Sequence, residues 1–158
     1  MDSTDYPLTL FFDSSCPMCN AEMTSLRRRD VLGRLRFVDA SPADFAVPPG
    51  FTRAAMMAAI HGVTADGRWV VGVETLRLAY AAVGLGWLAA PTAWPWLREP
   101  AERAYRWFAR HRQAMPRWIA PALMSLYAPR GRRRLDALRR EADEASRRTR
   151  CTDTSCAH

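Results

Sequence analysis

The sequence predicts an α/β domain in which a βαβ unit is followed by a β-hairpin and a helix, with a helical extension at the C-terminal end. Three observations carry that prediction. An apolar, β-prone run over Leu8 to Phe12 leads through Asp13-Ser14-Ser15 into a helix start marked by Pro17. A second short β-prone run, Leu35 to Val38, follows that helix closely. Further on, Asp66-Gly67 separates two more β-prone runs, and an Asp-Gly between such runs is a strong local hairpin signal.

Each element has its own local reason. Proline is favoured in the first turn of a helix, where its missing N–H costs nothing, so a helix beginning at Pro17 is expected to run through the arginine-rich stretch and fray near Asp30 to Gly33. Strand, helix and strand in that order form a βαβ unit, normally parallel and right-handed. Ile60 to Thr64 and Arg68 to Val71 are the two arms of the hairpin around Ala65-Asp66-Gly67. A helix is then expected from Glu74 to Val83, with Leu76, Ala79, Tyr80 and Val83 recurring on one face.

The chemistry is concentrated in F-F-D-S-S-C-P-M-C-N, where Cys16 and Cys19 form a C-x-x-C pair at the strand-to-helix junction. The first turn of a helix presents unpaired N–H groups and the positive end of the dipole, conditions that favour a thiolate. Thiol–disulfide exchange is the reaction on offer. In that reading Cys16 is the exposed nucleophile at the helix end, and Cys19, one turn in and more buried, is the resolving thiol. Asp13, at the end of the strand beneath the pair, is placed to take the Cys19 proton, provided partial desolvation raises its pKa. It serves equally as a turn or cap residue with Ser14 and Ser15. Pro17, Met18 and Ser15 are the residues expected to shape the substrate groove or tune the pair, with Met18 offering an apolar contact beside the sulfur.

Two other readings of the cysteines stand beside that one. C-x-x-C is half of a zinc site if Cys151, Cys156, His158 or His61 supplies the rest, but about 130 residues separate the first pair from the tail, a poor spacing for a structural staple. No metal is therefore expected, and exchange between thiols needs no cofactor. Two buried structural cysteines are the third reading, which Pro17 disfavours because a helix start after a strand end is usually an exposed rim.

The D-x-x-C-x-x-C pattern of Asp13, Cys16 and Cys19 resembles the signature of the DCC family of predicted thiol-disulfide oxidoreductases. L-R-F-V-D (Leu35 to Asp39), the stretch Ile60 to Leu76, and R-A-Y-R-W-F-A-R-H-R (Arg103 to Arg112) also resemble recurring parts of that family. The resemblance implies a thioredoxin-like fold and dithiol chemistry on a disulfide-containing protein or a small thiol substrate, with the reductant unspecified. One departure is visible. Thioredoxins place a cis-proline just before the hairpin strand, whereas Met56-Met57-Ala58-Ala59-Ile60 enters it here, and Pro48 and Pro49 lie too early.

With 158 residues, 49% of them apolar, the chain is expected to form one thioredoxin-like domain over 8–112, a helical arginine-rich extension over 113–150 and a flexible cysteine-containing tail over 151–158. Leu78 to Leu97 lacks charge over nearly the length of a membrane span, but Gly84, Gly86, Pro91 and Pro95 break it, so no transmembrane span is expected. Trp87, Trp94 and Trp96 within it fit a cap on the core or a partner surface. Met1 to Pro7 carries two aspartates and no apolar stretch, and the cysteines do not form a framework of spaced disulfides, so a reducing cytoplasm is the expected setting.

All 23 basic residues are arginine, and residues 130–158 hold nine of them against five acids. Arg130 to Arg134 could meet phosphates of nucleic acid or an anionic membrane without sequence readout, but interleaved charges such as Asp136 with Arg139 or Arg140 favour a solvated helix. Cys151 and Cys156 are a candidate shuttle that resolves the first dithiol, against a default of incidental thiols. From another functional class, a non-catalytic binding or scaffold module with structural or zinc-bound cysteines is the alternative.

Overall fold

The computed structural model describes residues 5–112 and 114, together with seven isolated helical positions between Asp136 and Arg147. Strand β1 (Leu8–Phe12) leads into α1 (Pro17–Arg29) and β2 (Leu35–Asp39), then α2 (Arg53–Ala58), β3 (His61–Val63), β4 (Trp69–Val71) and α3 (Val73–Ala82). A short α4 (Gly86–Ala89), a 3-10 turn (Ala90–Ala93) and the long α5 (Pro95–His111) follow. The sheet order is β2-β1-β3-β4, with β1 parallel to β2 and both β3 and β4 added antiparallel. This is a thioredoxin-like arrangement.

The alternation along β1 explains how the sheet is covered. Leu8, Leu10 and Phe12 are buried against Met23 and Leu26 of α1 and against Ala79 and Ala82 of α3. On the opposite face, Phe11 stacks on Trp69 at 5.5 Å between ring centroids, and Phe51 from the segment before α2 packs on Trp69 at 4.3 Å. The turn into β2 is held by Asp30, whose carboxylate accepts from the amides of Arg34 and Leu35 at 2.9 and 2.8 Å. At the hairpin, the Gly67 and Thr64 amides close the turn around Asp66-Gly67.

Beyond the six expected elements the structure adds the helices α2, α4 and α5. Helix α2 is capped by Thr52, whose hydroxyl accepts from the Ala55 amide at 3.1 Å. It ends at Ala58, and Ala59 is extended on the way into β3. The uncharged stretch from Leu78 is divided among the end of α3, α4, the 3-10 turn and the start of α5. No helix among the described residues is long and apolar enough to cross a membrane. Trp87, Trp94 and Trp96 are exposed rather than packed as a cap.

Helix α5 matters most for the site because it returns across the dithiol end of the sheet. Gly72 permits its approach: at φ +66° it occupies the left-handed region, and a Cβ there would sit 3.1 Å from the Tyr105 ring. The Tyr105 hydroxyl in turn accepts from the Ile60 amide at 2.9 Å, tying α5 to the start of β3. In the extension, Asp136, Arg139 and Arg140 are helical and exposed. Arg130 to Arg134 lie outside the described residues.

Candidate active site

The loop between β1 and α1 is fixed by two aspartates. Asp39, at the end of β2, accepts from the Ser14 amide and hydroxyl at 3.2 and 2.6 Å and from the Ser41 amide at 2.9 Å. Burial opposes its charge, but the Ser14 hydroxyl and the surrounding amides prevail and hold its pKa at about 2. Asp13 is only 2% exposed. Its Oδ1 accepts from both the amide and the hydroxyl of Ser15, which closes the turn before the helix. These bonds fit the turn role read from the sequence, while Cys16 itself is the N-cap and Pro17 opens the helix.

Both cysteines are free thiols, and their exposure is the reverse of that expected. Cys16 is fully buried, forming a small cluster with Met18 against which Cys19, Ala21 and Phe108 pack. Cys19 is the partly exposed member. The helix start would be an open rim only if nothing crossed it, and α5 brings Phe108 over that end.

Arg112, immediately after α5, joins the parts. It is 6% exposed, and its guanidinium donates to Cys19 Sγ at 3.1 Å, to Asp13 Oδ2 at 3.3 Å and to the Met57 carbonyl. One cation is therefore shared between the dithiol, the aspartate of the D-x-x-C-x-x-C pattern and the segment entering β3. Asp13, Cys19, Glu22, Tyr105, Phe108 and Arg112 line a cavity of about 30 Å³, enough for a water molecule, which needs roughly 10–15 Å³ by the same kind of measure.

The protonation of Cys19 follows from these neighbours. Burial pushes its thiol up to about 12; Arg112 opposes that shift, and the hydrogen bond to Cys16 with the nearby Cys16 and Glu22 charges adds to it. At about pH 8.5, where an ordinary cysteine is half ionised, Cys19 in the folded chain keeps its proton. Alkylation of Cys19 by iodoacetamide is therefore expected to be at least about tenfold slower in the folded than in the unfolded chain, read by peptide-resolved mass spectrometry. Equal rates would refute this. Because folding holds the proton, the associated stability is intact below about pH 8.5 and is lost as the pH climbs towards about 12. Tyr6 and Tyr105, both raised chiefly by burial, act in the same direction at higher pH.

Of the residues read from the sequence, the structure brings together Asp13, Ser15, Cys16, Pro17, Met18 and Cys19. Cys151, Cys156 and His158 lie outside the described residues. His61, the remaining zinc ligand considered, is buried on β3 with Nδ1 at 2.9 Å from the Ala59 carbonyl, and burial pushes its pKa down. Among the described residues no group of three His, Cys, Asp or Glu side chains could hold a metal ion. Arg112, Glu22, Tyr105 and Asp39 were not singled out by the sequence. Three of them fall within stretches that resemble the family, and Glu22 is the single acid among the 13 residues of α1.

The family model of the DCC1-like thiol-disulfide oxidoreductases matches residues 10–118, which take in the end of β1, the dithiol and Arg112. The chain belongs to that family. Membership supports a general thiol–disulfide redox role. An uncharacterized chloroplastic protein of Arabidopsis thaliana is 32% identical over 111 residues, which cover 68% of this chain and 52% of the plant protein. The chain thus spans about half the length of that relative. No solved structure matches the chain.

Proposed function

We propose that this DCC1-like chain is an enzyme that exchanges disulfides through its C-P-M-C dithiol, with Cys16 as nucleophile and Cys19 as resolving thiol. The observation that carries the reading is a pair of free thiols at the start of α1, three residues apart, with the Arg112 guanidinium on the second sulfur. Cys16 occupies the N-cap, where first-turn N–H groups and the dipole favour negative charge. The proton stays on Cys19, which makes Cys16 the first to attack.

A Cys16 thiolate attacks one sulfur of a substrate disulfide, and the other sulfur leaves as a thiolate. Cys19 then attacks Cys16, closing the Cys16–Cys19 disulfide and releasing the reduced substrate. Arg112 stabilises the Cys19 thiolate at the moment it forms, and Asp13 holds Arg112 and the Ser15 turn in place. Pro17 stiffens the first turn, and Met18 packs beside Cys16. Because Cys16 is buried, the substrate reaches it only when the contacts around Met18 and Phe108 part. The substrate is a disulfide-containing protein or a small thiol compound, and the setting is a reducing cytoplasm.

The test is equilibration of the purified chain in glutathione redox buffers, followed by acid trapping and mass spectrometry of the Cys16–Cys19 peptide. A reversible loss of two hydrogens, with turnover of insulin in the presence of a dithiol reductant, is the expected result. A dithiol that never oxidises, with stoichiometric zinc in protein purified without chelator, would instead support the binding module.

A further inference from the structure

The proton that Cys19 must lose has two carboxylates near it. Asp13 faces the cavity, but both its oxygens are engaged: Oδ1 by the two Ser15 donors and Oδ2 by Arg112. Glu22 is placed differently. It follows Cys19 by three residues on α1, so the two side chains share one side of the helix, and both line the same cavity. Its Oε1 accepts from the Tyr80 hydroxyl of α3 at 2.5 Å, and among the described residues no arginine is paired with it.

We propose that Glu22 is the proton acceptor for Cys19, receiving the thiol proton through a water in the shared cavity as Cys19 attacks the Cys16–substrate disulfide. The inference rests on the dithiol reading above. In the step, the Cys19–Cys16 bond forms and the Cys16–substrate bond breaks. The leaving substrate thiolate takes a proton back from Glu22 or from solvent. The substrate disulfide is reduced by two electrons, and the dithiol is oxidised by the same two.

The surroundings make this carboxylate suited to the exchange. Cys19 and Arg29 line its cavities from its own helix, Asp13 from just after β1, Tyr80 from α3, Tyr105 from α5 and Arg112 from just after α5. Burial raises its pKa, and the Tyr80 bond opposes that shift. A carboxylate that burial makes more basic holds a proton more readily than a free one, which suits it to accept one from a thiol.

The experiment is stopped-flow reaction of the full chain, with both tail cysteines changed to serine, against the aromatic disulfide dithiobis(nitrobenzoate). The first release of nitrothiobenzoate reports attack by the nucleophile, and the second reports resolution by Cys19. Glu22→Gln keeps an acceptor for Tyr80, and its first phase should match the parent. Its second phase should fall by about a hundredfold near neutral pH and recover as the pH rises, when hydroxide removes the proton directly. Glu22→Asp, which keeps a carboxylate, should retain most of the parent rate. A second phase in Glu22→Gln with the parent's rate and pH profile would overturn the proposal, as would a larger loss in Asp13→Asn than in Glu22→Gln. Absence of both phases in the parent would overturn the dithiol reading itself, which is a separate result.

Discussion

Cys16→Ser is expected to lower disulfide reduction by more than about a thousandfold, because a serine hydroxyl at that position has no base positioned to activate it for attack on sulfur. Cys19→Ser is expected to stop at a different point. The nucleophile remains, so the chain accumulates as a mixed disulfide on Cys16 and fails to release product. Non-reducing gels and intact mass distinguish the two: the first variant stays unmodified by a disulfide substrate, and the second gains one substrate half. The burial of Cys16 makes the comparison informative, since exposure alone favours Cys19 as the point of attack. If Cys19→Ser were inert and Cys16→Ser carried the adduct, the roles would be exchanged and the proton held on Cys19 would no longer matter for the first step.

The order β1-α1-β2 was legible because each boundary has a local cause: the apolar run of Leu8 to Phe12, Pro17 in the first turn, and a turn closed by Asp30. The hairpin was legible for the same reason, through Asp66-Gly67. Helix α2 escaped because it is six residues long, too short for periodicity to register, although Thr52 is an N-cap residue of the preferred kind. Helix α5 was obscured by Pro95 and Pro100 and by tryptophans that read as a cap. The dithiol could be named from sequence alone, but its surroundings could not. Arg112 meets Cys19 across 93 positions and Asp13 across 99, so no local pattern announces it. The same packing explains the inverted exposure of the cysteines, since Phe108 reaches the helix start only through the tertiary fold.

Arg112→Met is expected to destabilise the chain by about 3–5 kcal/mol, the range seen when one partner of a buried ion pair is removed and the other is left uncompensated. Three bonds disappear together: those to Cys19, Asp13 and the Met57 carbonyl. The remaining Asp13 is 2% exposed and cannot turn to water without opening the β1–α1 loop. Asp13→Asn in the same background removes the stranded charge, so the double variant should be more stable than additivity allows, with a coupling of about 1–3 kcal/mol in urea unfolding. Arg112→Lys separates charge from geometry. A lysine restores a cation near Asp13 but lacks the planar fork that reaches two side chains and a carbonyl at once, so it should recover stability in part while resolution by Cys19 stays slow. Additive effects of Asp13→Asn and Arg112→Met would show that the pair is not coupled. Full activity in Arg112→Met, measured per folded molecule, would remove the guanidinium from the exchange and leave it a purely structural tie between α5 and the dithiol loop.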